Sequence, residues 1–277
     1  MSAPRRIVYL GTPQMAVAPL EALVAAGLEV VLVVTGVDKR RGRGGATSPT
    51  PVKQAAERLG IPVSHELDDV ATCGADLGVV VAYGRIVPPS LLDQVPMVNL
   101  HFSLLPRWRG AAPVERAILA GDDETGVCVM RVDVGLDTGD VYARERVTIP
   151  ATATAEWLRG RLVEVGSRLL ADTVVGGLPT PEPQQGDVVV AAKIRPDDLR
   201  IDPSMDTATL DRTVRVGGAW TTFRERRVKV LEAVLDDGEW LGLRGLRPVT
   251  VQPEGKGPMA FADWARGMRP ADGETFA

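Results

Sequence analysis

Apolar and polar positions follow two alternating spacings along the first hundred residues of the chain. Helical spacing covers residues 16–26, where Gly27 ends the pattern, and residues 51–59. Short apolar runs typical of buried strands lie before, between and after these helices, at residues 6–10, 29–35, 61–64, 77–83 and 95–101. Since strands that alternate with helices at this spacing form βαβ units, the pattern predicts an open, parallel-rich α/β sheet.

The pattern changes after residue 175. Before it, a helix at 111–120, strands at 125–132 and 141–149 and a long helix at 153–175 continue the α/β domain. The segment 176–186 then contains three prolines, as linkers often do.

Short strands dominate the last part of the chain. A helix at 206–216 precedes predicted strands at 220–223, 228–234, 239–243 and 248–252. We therefore expect a first domain over 1–186, a linker over 187–203 and a small C-terminal β domain over 204–277.

Composition excludes several classes of protein. The 277 residues are 45% hydrophobic and 25% charged, which indicates a globular chain rather than a disordered one. All apolar runs are much shorter than the roughly 20 residues that span a bilayer, so we expect no membrane insertion. Two cysteines, Cys73 and Cys128, are too few for a disulfide framework, which favours the cytoplasm.

The formal net charge of −4 argues against nucleic-acid binding through bulk charge. Any such partner would need a local basic patch, and the glycine-rich segment 38–45 provides a candidate. Its four cations are Lys39, Arg40, Arg41 and Arg43. A solvated loop is the alternative interpretation.

The candidate chemistry centres on one of the two histidines in the chain, His101. Asn99 lies two residues earlier in a predicted strand, so both side chains share a face at a strand end, where open α/β sheets bind ligands. Asp137 lies in a glycine-punctuated, acidic loop. Each residue also has a purely structural interpretation, as a turn residue, a strand-end hydrogen bonder or a turn cap. With two histidines, and without HExxH, GxSxG or phosphate-loop motifs, we expect no metal site and no serine nucleophile.

Two segments around these residues resemble a known family. Residues 99–113, Asn-Leu-His-Phe-Ser-Leu-Leu-Pro-Arg-Trp-Arg-Gly-Ala-Ala-Pro, and residues 133–140, Asp-Val-Gly-Leu-Asp-Thr-Gly-Asp, are similar to the NxHxSLLP and LDTG motifs of formyltetrahydrofolate-dependent formyltransferases, the methionyl-tRNA formyltransferases above all. The resemblance extends to Ser48-Pro-Thr-Pro-Val-Lys53 and covers nearly the whole chain.

The resemblance implies a Rossmann-like formyl-transfer domain followed by an OB-like β-barrel, here shortened. It implies 10-formyltetrahydrofolate as the donor, initiator methionyl-tRNA as the acceptor and a cytoplasmic monomer. Asn99 would stabilise the oxyanion, and His101 would accept a proton or donate to the oxyanion. Asp137 would orient His101 or hold a water.

The same resemblance assigns residues to both substrates. The implied folate contacts are Tyr83, Gly84, Ile86, Pro88, Ser103, Leu104, Leu105, Pro106 and Asp133. The implied tRNA contacts are Lys39, Arg40, Arg41 and Arg43.

Three other functions remain open at this point. A formyltransferase of the same fold could act on a small amine, such as an amino sugar nucleotide. A deformylase would use water as the acceptor. A binding module without catalysis is disfavoured, because Asn99, His101 and Asp137 are all present.

Overall fold

The structure, a computed structural model, describes residues 4–40 and 47–277 and divides the chain into two compact units. Unit 1 comprises Met1–Pro113, Glu124–Thr148 and Arg159–Ala191, and unit 2 comprises Val114–Asp123, Ile149–Leu158 and Ala192–Ala277. The domain boundaries expected from the sequence, at 186 and 204, remain a prediction.

The elements follow the predicted order closely. The strands are β1 Arg6–Gly11, β2 Glu29–Val34, β3 Lys39–Arg40, β4 Thr47–Ser48, β5 Val63–Ser64, β6 Leu77–Val81, β7 Met97–His101, β8 Arg109–Gly110, β9 Glu124–Arg131, β10 Val141–Thr148, β11 Val190–Ala191, β12 Trp220–Phe223, β13 Arg226–Trp240, β14 Leu243–Pro253 and β15 Met259–Ala260. The α-helices are α1 Val17–Ala25, α2 Pro51–Arg58, α3 Pro89–Leu92, α4 Pro113–Ala120, α5 Ala155–Val175, α6 Thr207–Val216 and α7 Phe261–Met268. Short 3-10 turns lie at Gln14–Ala16, Asp68–Ala71 and Pro196–Leu199.

A mixed seven-stranded sheet forms the body of unit 1. Its order is β10-β9-β7-β6-β1-β2-β5, in which β7, β6, β1, β2 and β5 are parallel. β9 runs antiparallel to β7, and β10 antiparallel to β9. The parallel-rich sheet confirms the predicted Rossmann-like α/β fold.

The interior strand β1 is covered on both faces. Ile7, Val8, Tyr9 and Leu10 have no exposed surface, which explains why its apolar residues are continuous rather than alternating. The Tyr9 hydroxyl donates to the Ala16 carbonyl at 2.6 Å, and burial raises the pKa of Tyr9. The buried hydroxyl of this interior strand is thus satisfied.

Unit 2 contains a four-stranded antiparallel sheet in the order β12-β13-β14-β15, which confirms the predicted small C-terminal β domain. The predicted strands 228–234 and 239–243 were wrong in detail. Arg226–Trp240 forms one long strand, β13. The chain then turns at Leu241 and Gly242, whose φ angles are 51° and 87°. Period-two spacing alone did not show that turn, and α7 was not predicted.

Short local signals explain the helix starts. Asp206 begins α6 by accepting a hydrogen bond from Thr209 N at 2.9 Å, and Thr50 begins α2 in the same way from Lys53 N at 3.1 Å. Among the described residues, no helix is both long and apolar enough to cross a membrane.

Candidate active site

Strand β7 carries Asn99 and His101 near its carboxyl end. Asn99 pairs in register with Val80 of β6 on one side and with Met130 of β9 on the other, and His101 pairs with Cys128. The two-residue spacing places both side chains on the same face of the sheet, as predicted. β6 is parallel to β7, so the segment after Val81 leaves the sheet at the same edge.

The His101 ring is buried, with 5% of the residue exposed, and both ring nitrogens face oxygen atoms. Nε2 lies 2.8 Å from the Trp108 carbonyl oxygen, and Nδ1 lies 3.6 Å from Oδ2 of Asp137. A carbonyl can only accept, so Nε2 carries a hydrogen in this arrangement. Nδ1 is therefore the nitrogen left to take up a proton, and it faces a carboxylate.

Asp137 is held by backbone groups of the neighbouring loop. Its φ of 51° is in the left-handed region, and its Oδ2 accepts a hydrogen bond from Gly110 N at 2.8 Å. Gly110 has a φ of 116°, and a Cβ there would lie 2.9 Å from the Ala191 carbonyl oxygen. A glycine is thus required at the point where the loop meets Asp137.

Two side chains that sequence reasoning missed support this loop. Gln184 Nε2 donates to the carbonyl oxygens of Asp137 and Gly139, each at 2.8 Å. Arg109 donates to Gln184 Oε1 through Nε at 3.0 Å and Nη2 at 2.7 Å. Arg109 lies inside the segment 99–113 that carries the family resemblance. Gln184 lies in the proline-rich segment 176–186, where no sequence motif marks it as a site residue.

The Ser103–Pro106 stretch packs inward on the sheet. Ser103 is fully buried, and its hydroxyl donates to the Arg107 carbonyl at 2.6 Å. Leu105 joins a buried cluster with Cys128, Met130 and Val141, and burial raises the pKa of the Cys128 thiol. Leu104 lies against Gly126, where a Cβ would come within 2.5 Å of it. Pro106 is also buried.

The segment after β6 is more open. Tyr83 is buried, with its pKa raised by burial, and its hydroxyl accepts a hydrogen bond from Arg85 Nη1 at 3.3 Å. Gly84 and Pro88 are exposed, and Ile86 is 86% exposed. Ile86 is thus an exposed apolar side chain on the segment that leaves the sheet at the carboxyl end of β6.

The loop between β9 and β10 is also open outside Asp137. Asp133 is exposed, and its Oδ1 accepts a hydrogen bond from Val134 N at 2.7 Å. Val134 and Leu136 are 69% and 65% exposed. Within the described part of the chain, no group of three or more His, Cys, Asp or Glu side chains is placed to hold a metal.

Comparison with known proteins shows the family of the chain. The family model described as formyl transferase matches residues 5–174. A methionyl-tRNA formyltransferase of Ruegeria pomeroyi is 44% identical, over 84% of this chain and 83% of its own. Another, from Methylobacterium nodulans, is 41% identical over 99% of this chain and 100% of its own. This chain belongs to the formyl transferase family.

The fold is also found in a protein with low sequence identity to this chain. The crystal structure of HypX from Aquifex aeolicus, in complex with tetrahydrofolic acid, matches 95% of this chain with a TM-score of 0.66 and 16% identity. This formyltransferase spans about half the length of HypX, 47%. At that identity the likeness concerns the fold.

The basic segment of this formyltransferase falls largely outside the described residues. Arg41 and Arg43 lie outside the described residues. Lys39 and Arg40 form β3, whose backbone pairs antiparallel with β4 in the register Lys39 to Ser48 and Arg40 to Thr47. The two short strands therefore bracket residues 41–46. Directly before them, Asp38 accepts a hydrogen bond from Lys53 Nζ at 2.7 Å.

Proposed function

We propose that this formyltransferase transfers the formyl group of 10-formyltetrahydrofolate to the free amine of initiator methionyl-tRNA in the cytoplasm, for translation initiation. The name shared by full-length relatives at 41–44% identity supports the acceptor, and the tetrahydrofolic acid bound to HypX supports a folate donor. The single observation that carries the proposal is the contact between the buried His101, on the strand that also holds Asn99, and Asp137 of the loop between β9 and β10.

The proposed chemistry moves one formyl group and one proton. The amine nitrogen attacks the formyl carbon, and a tetrahedral intermediate with an oxyanion forms. The bond from that carbon to N10 of the folate then breaks, while the amine loses a proton and N10 gains one. Asn99 donates a side-chain N–H to the oxyanion, an interaction worth ~10²–10³-fold in rate at such centres.

His101 takes the proton of the amine in this proposal. Its Nε2–H is held by the Trp108 carbonyl, so Nδ1 is the basic nitrogen. The cation that results lies 3.6 Å from the Asp137 carboxylate, which stabilises it. The proton then passes to N10 from the same ring.

The folate contacts predicted from the sequence divide into two groups. Ile86, Gly84, Pro88 and Asp133 are exposed, and we propose that they contact the folate directly. Tyr83, Ser103, Leu105 and Pro106 are buried, and Leu104 is half-buried, so we propose that these five shape the site mainly through their backbone.

An acceptor screen with 10-formyltetrahydrofolate tests the proposed reaction. Purified enzyme is incubated with charged initiator tRNA, with an amino sugar nucleotide, or with no acceptor, and formylated product and tetrahydrofolate are both measured. We expect turnover with the tRNA. Two results would contradict the proposal. One is formylation of the amino sugar nucleotide but not of the tRNA, and the other is release of tetrahydrofolate with no acceptor but water.

Steady-state kinetics at several salt concentrations test the tRNA contact. Each phosphate contact adds about 0.7–0.9 to the slope of log affinity against log salt. Arg43→Ala should therefore raise the KM for tRNA and flatten the salt slope, with an unchanged KM for folate. Arg224→Ala is the comparison variant, because Arg224 already donates to both oxygens of Glu274 at 2.6 and 2.7 Å. A larger effect at Arg224 than at Arg43 would move the tRNA contact away from the basic segment.

A further inference from the structure

The segment that follows α5, residues 176–191, contacts both loops of the candidate site. These are the loop between β7 and α4, which contains Trp108, and the loop between β9 and β10, which contains Asp137. Glu182 and Val141 exchange backbone hydrogen bonds of 2.8 and 2.9 Å at the end of the 133–140 loop. A few residues later, Val189 accepts from Arg109 N at 2.9 Å, and Ala191 accepts from Ala111 N at 2.9 Å. The segment is thus fixed at one end to the loop of Asp137 and at the other to the loop of Trp108.

Gln184 lies between these two anchors and contacts both loops through its side chain. Its amide nitrogen spans the carbonyls of Asp137 and Gly139, and its amide oxygen accepts two bonds from Arg109. All four distances lie between 2.7 and 3.0 Å. The residue is half-buried, so each contact competes only partly with water.

The partners on the two sides of Gln184 have opposite requirements. Carbonyl oxygens can only accept, and a guanidinium can only donate. A side chain between them needs an acceptor at one side and two donor hydrogens at the other, which is the arrangement of a primary amide. A carboxylate of the same length would keep the contact to Arg109 but would face two carbonyl oxygens with a negative charge.

The backbone that Gln184 holds is the one that aims the Asp137 carboxylate. Asp137 has a left-handed backbone, a conformation that residues with a Cβ adopt at a cost in conformational energy. The hydrogen bonds from Gln184 to the carbonyl oxygens of Asp137 and Gly139 offset that cost. They also fix the direction of the Asp137 side chain. In their absence the loop can relax, and Oδ2 leaves its position near His101 Nδ1.

We propose that Gln184, held by Arg109, is a positioning residue for formyl transfer that orients Asp137 on His101. This inference rests on the proposed function and adds a residue to its machinery. Because a 1 Å displacement of a reacting group can cost on the order of 10²-fold, we expect Gln184→Met to lower kcat roughly 10–100-fold. The KM for folate should change little, because the amide faces the loop backbone.

Four variants of the whole 277-residue chain, compared with the wild type and with Asp137→Ala, test the inference. Gln184→Met removes both sets of hydrogen bonds at nearly constant shape, and Gln184→Glu keeps the Arg109 side alone. Gln185→Met makes the same substitution at the adjacent, exposed residue and serves as the matched control. The double variant Asp137→Ala/Gln184→Met shows whether Gln184 acts through Asp137.

The expected results distinguish positioning from general support. Gln184→Glu should be at least as impaired as Gln184→Met, whereas Gln185→Met should match the wild type. In the Asp137→Ala background, Gln184→Met should cost less than 3-fold. In an NMR spectrum of the imidazole groups, Gln184→Met should shift the His101 signal and leave that of His65, the one other histidine, in place.

Each failure has its own meaning. If wild-type enzyme does not formylate the tRNA, the proposed function fails, while the His101 signal still tests the contact chain. If wild type is active and Gln184→Met equals Gln185→Met in kcat and in the His101 signal, the positioning role is wrong. Full activity of Gln184→Glu, or an equal loss in the presence and absence of Asp137, would also overturn it.

Discussion

The candidate site of unit 1 and the core of unit 2 are built from opposite kinds of side chain. Around His101, buried polar groups meet backbone carbonyls and amides from three loops. In unit 2, the rings of Phe223, Trp240, Phe261, Trp264 and Phe276 pack with centroids 5.2–6.3 Å apart. Three of the four phenylalanines in the chain belong to this aromatic cluster.

The difference shows how this chain divides stability from chemistry. A hydrogen bond contributes only about 1 kcal/mol net but requires a definite distance and angle, so the polar site of unit 1 provides geometry. Burial of a large ring stabilises by several kcal/mol with little dependence on direction. Aromatic packing is therefore a large contribution to the stability of unit 2, beside the aliphatic residues of the same core.

The largest expected effect is on the stability of unit 2. Trp264 is 5% exposed and has three aromatic neighbours, so Trp264→Ala should lower the free energy of unfolding by about 3–5 kcal/mol. Trp157→Ala is the matched control, because Trp157 is 47% exposed, and we expect a change within about 0.5 kcal/mol. Urea unfolding followed by circular dichroism measures both. Equal midpoints for the two variants would refute the role of the aromatic cluster.

Substitutions at the candidate site of unit 1 should lower the rate of formyl transfer. Asn99→Ala, His101→Ala and Asp137→Ala should each lower kcat at least ~10²-fold, which corresponds to about 2.7 kcal/mol, and leave folate binding largely intact. His65→Ala is the control at the one other histidine. Single-turnover formylation and folate titration provide the two measurements.

The same three residues should also behave as a unit. Each double variant should lose much less than the product of the single losses, because the second change removes a group that has already lost its partner. A variant with near-wild-type kcat would exclude that residue from the mechanism.

The smallest expected effect is a pH dependence in unit 2. The Arg224 guanidinium beside Glu274 lowers the pKa of that carboxyl from 4.5 to about 2. Because the folded pKa is the lower one, the stabilisation is complete above pH 4.5 and is lost as the pH falls towards 2. The Tm difference between wild type and Glu274→Gln should therefore narrow over that window.

A second glutamate provides the control for this pH effect. Glu254 is exposed in the same unit, and Glu254→Gln should follow the wild-type Tm at every pH. A constant difference between wild type and Glu274→Gln from pH 2 to 7 would show that the ion pair with Arg224 does not stabilise the fold.

Local patterns predicted much of the fold and failed at identifiable points. The apolar run 77–83 became β6, and the amphipathic run 153–175 became α5, because each reports the burial of its own element. The single long strand β13 was predicted as two strands, 228–234 and 239–243. The reason is that the exposed Leu235 and the Asp-Asp-Gly-Glu stretch at 236–239 interrupt the alternation of apolar and polar residues. Pairing with β14 holds β13 together across that interruption.

The sequence by itself determined the order of the elements, the shared face of Asn99 and His101 and, through its motifs, the family. Tertiary structure alone decided which nitrogen of His101 faces Asp137, and that Arg109 and Gln184 fix the loop between β9 and β10. Strand spacing acts over two residues and is readable from a single segment. The contacts of Gln184 join residues 45–75 positions apart, and only the folded sheet brings such distant hydrogen-bonding groups within 3 Å of one another.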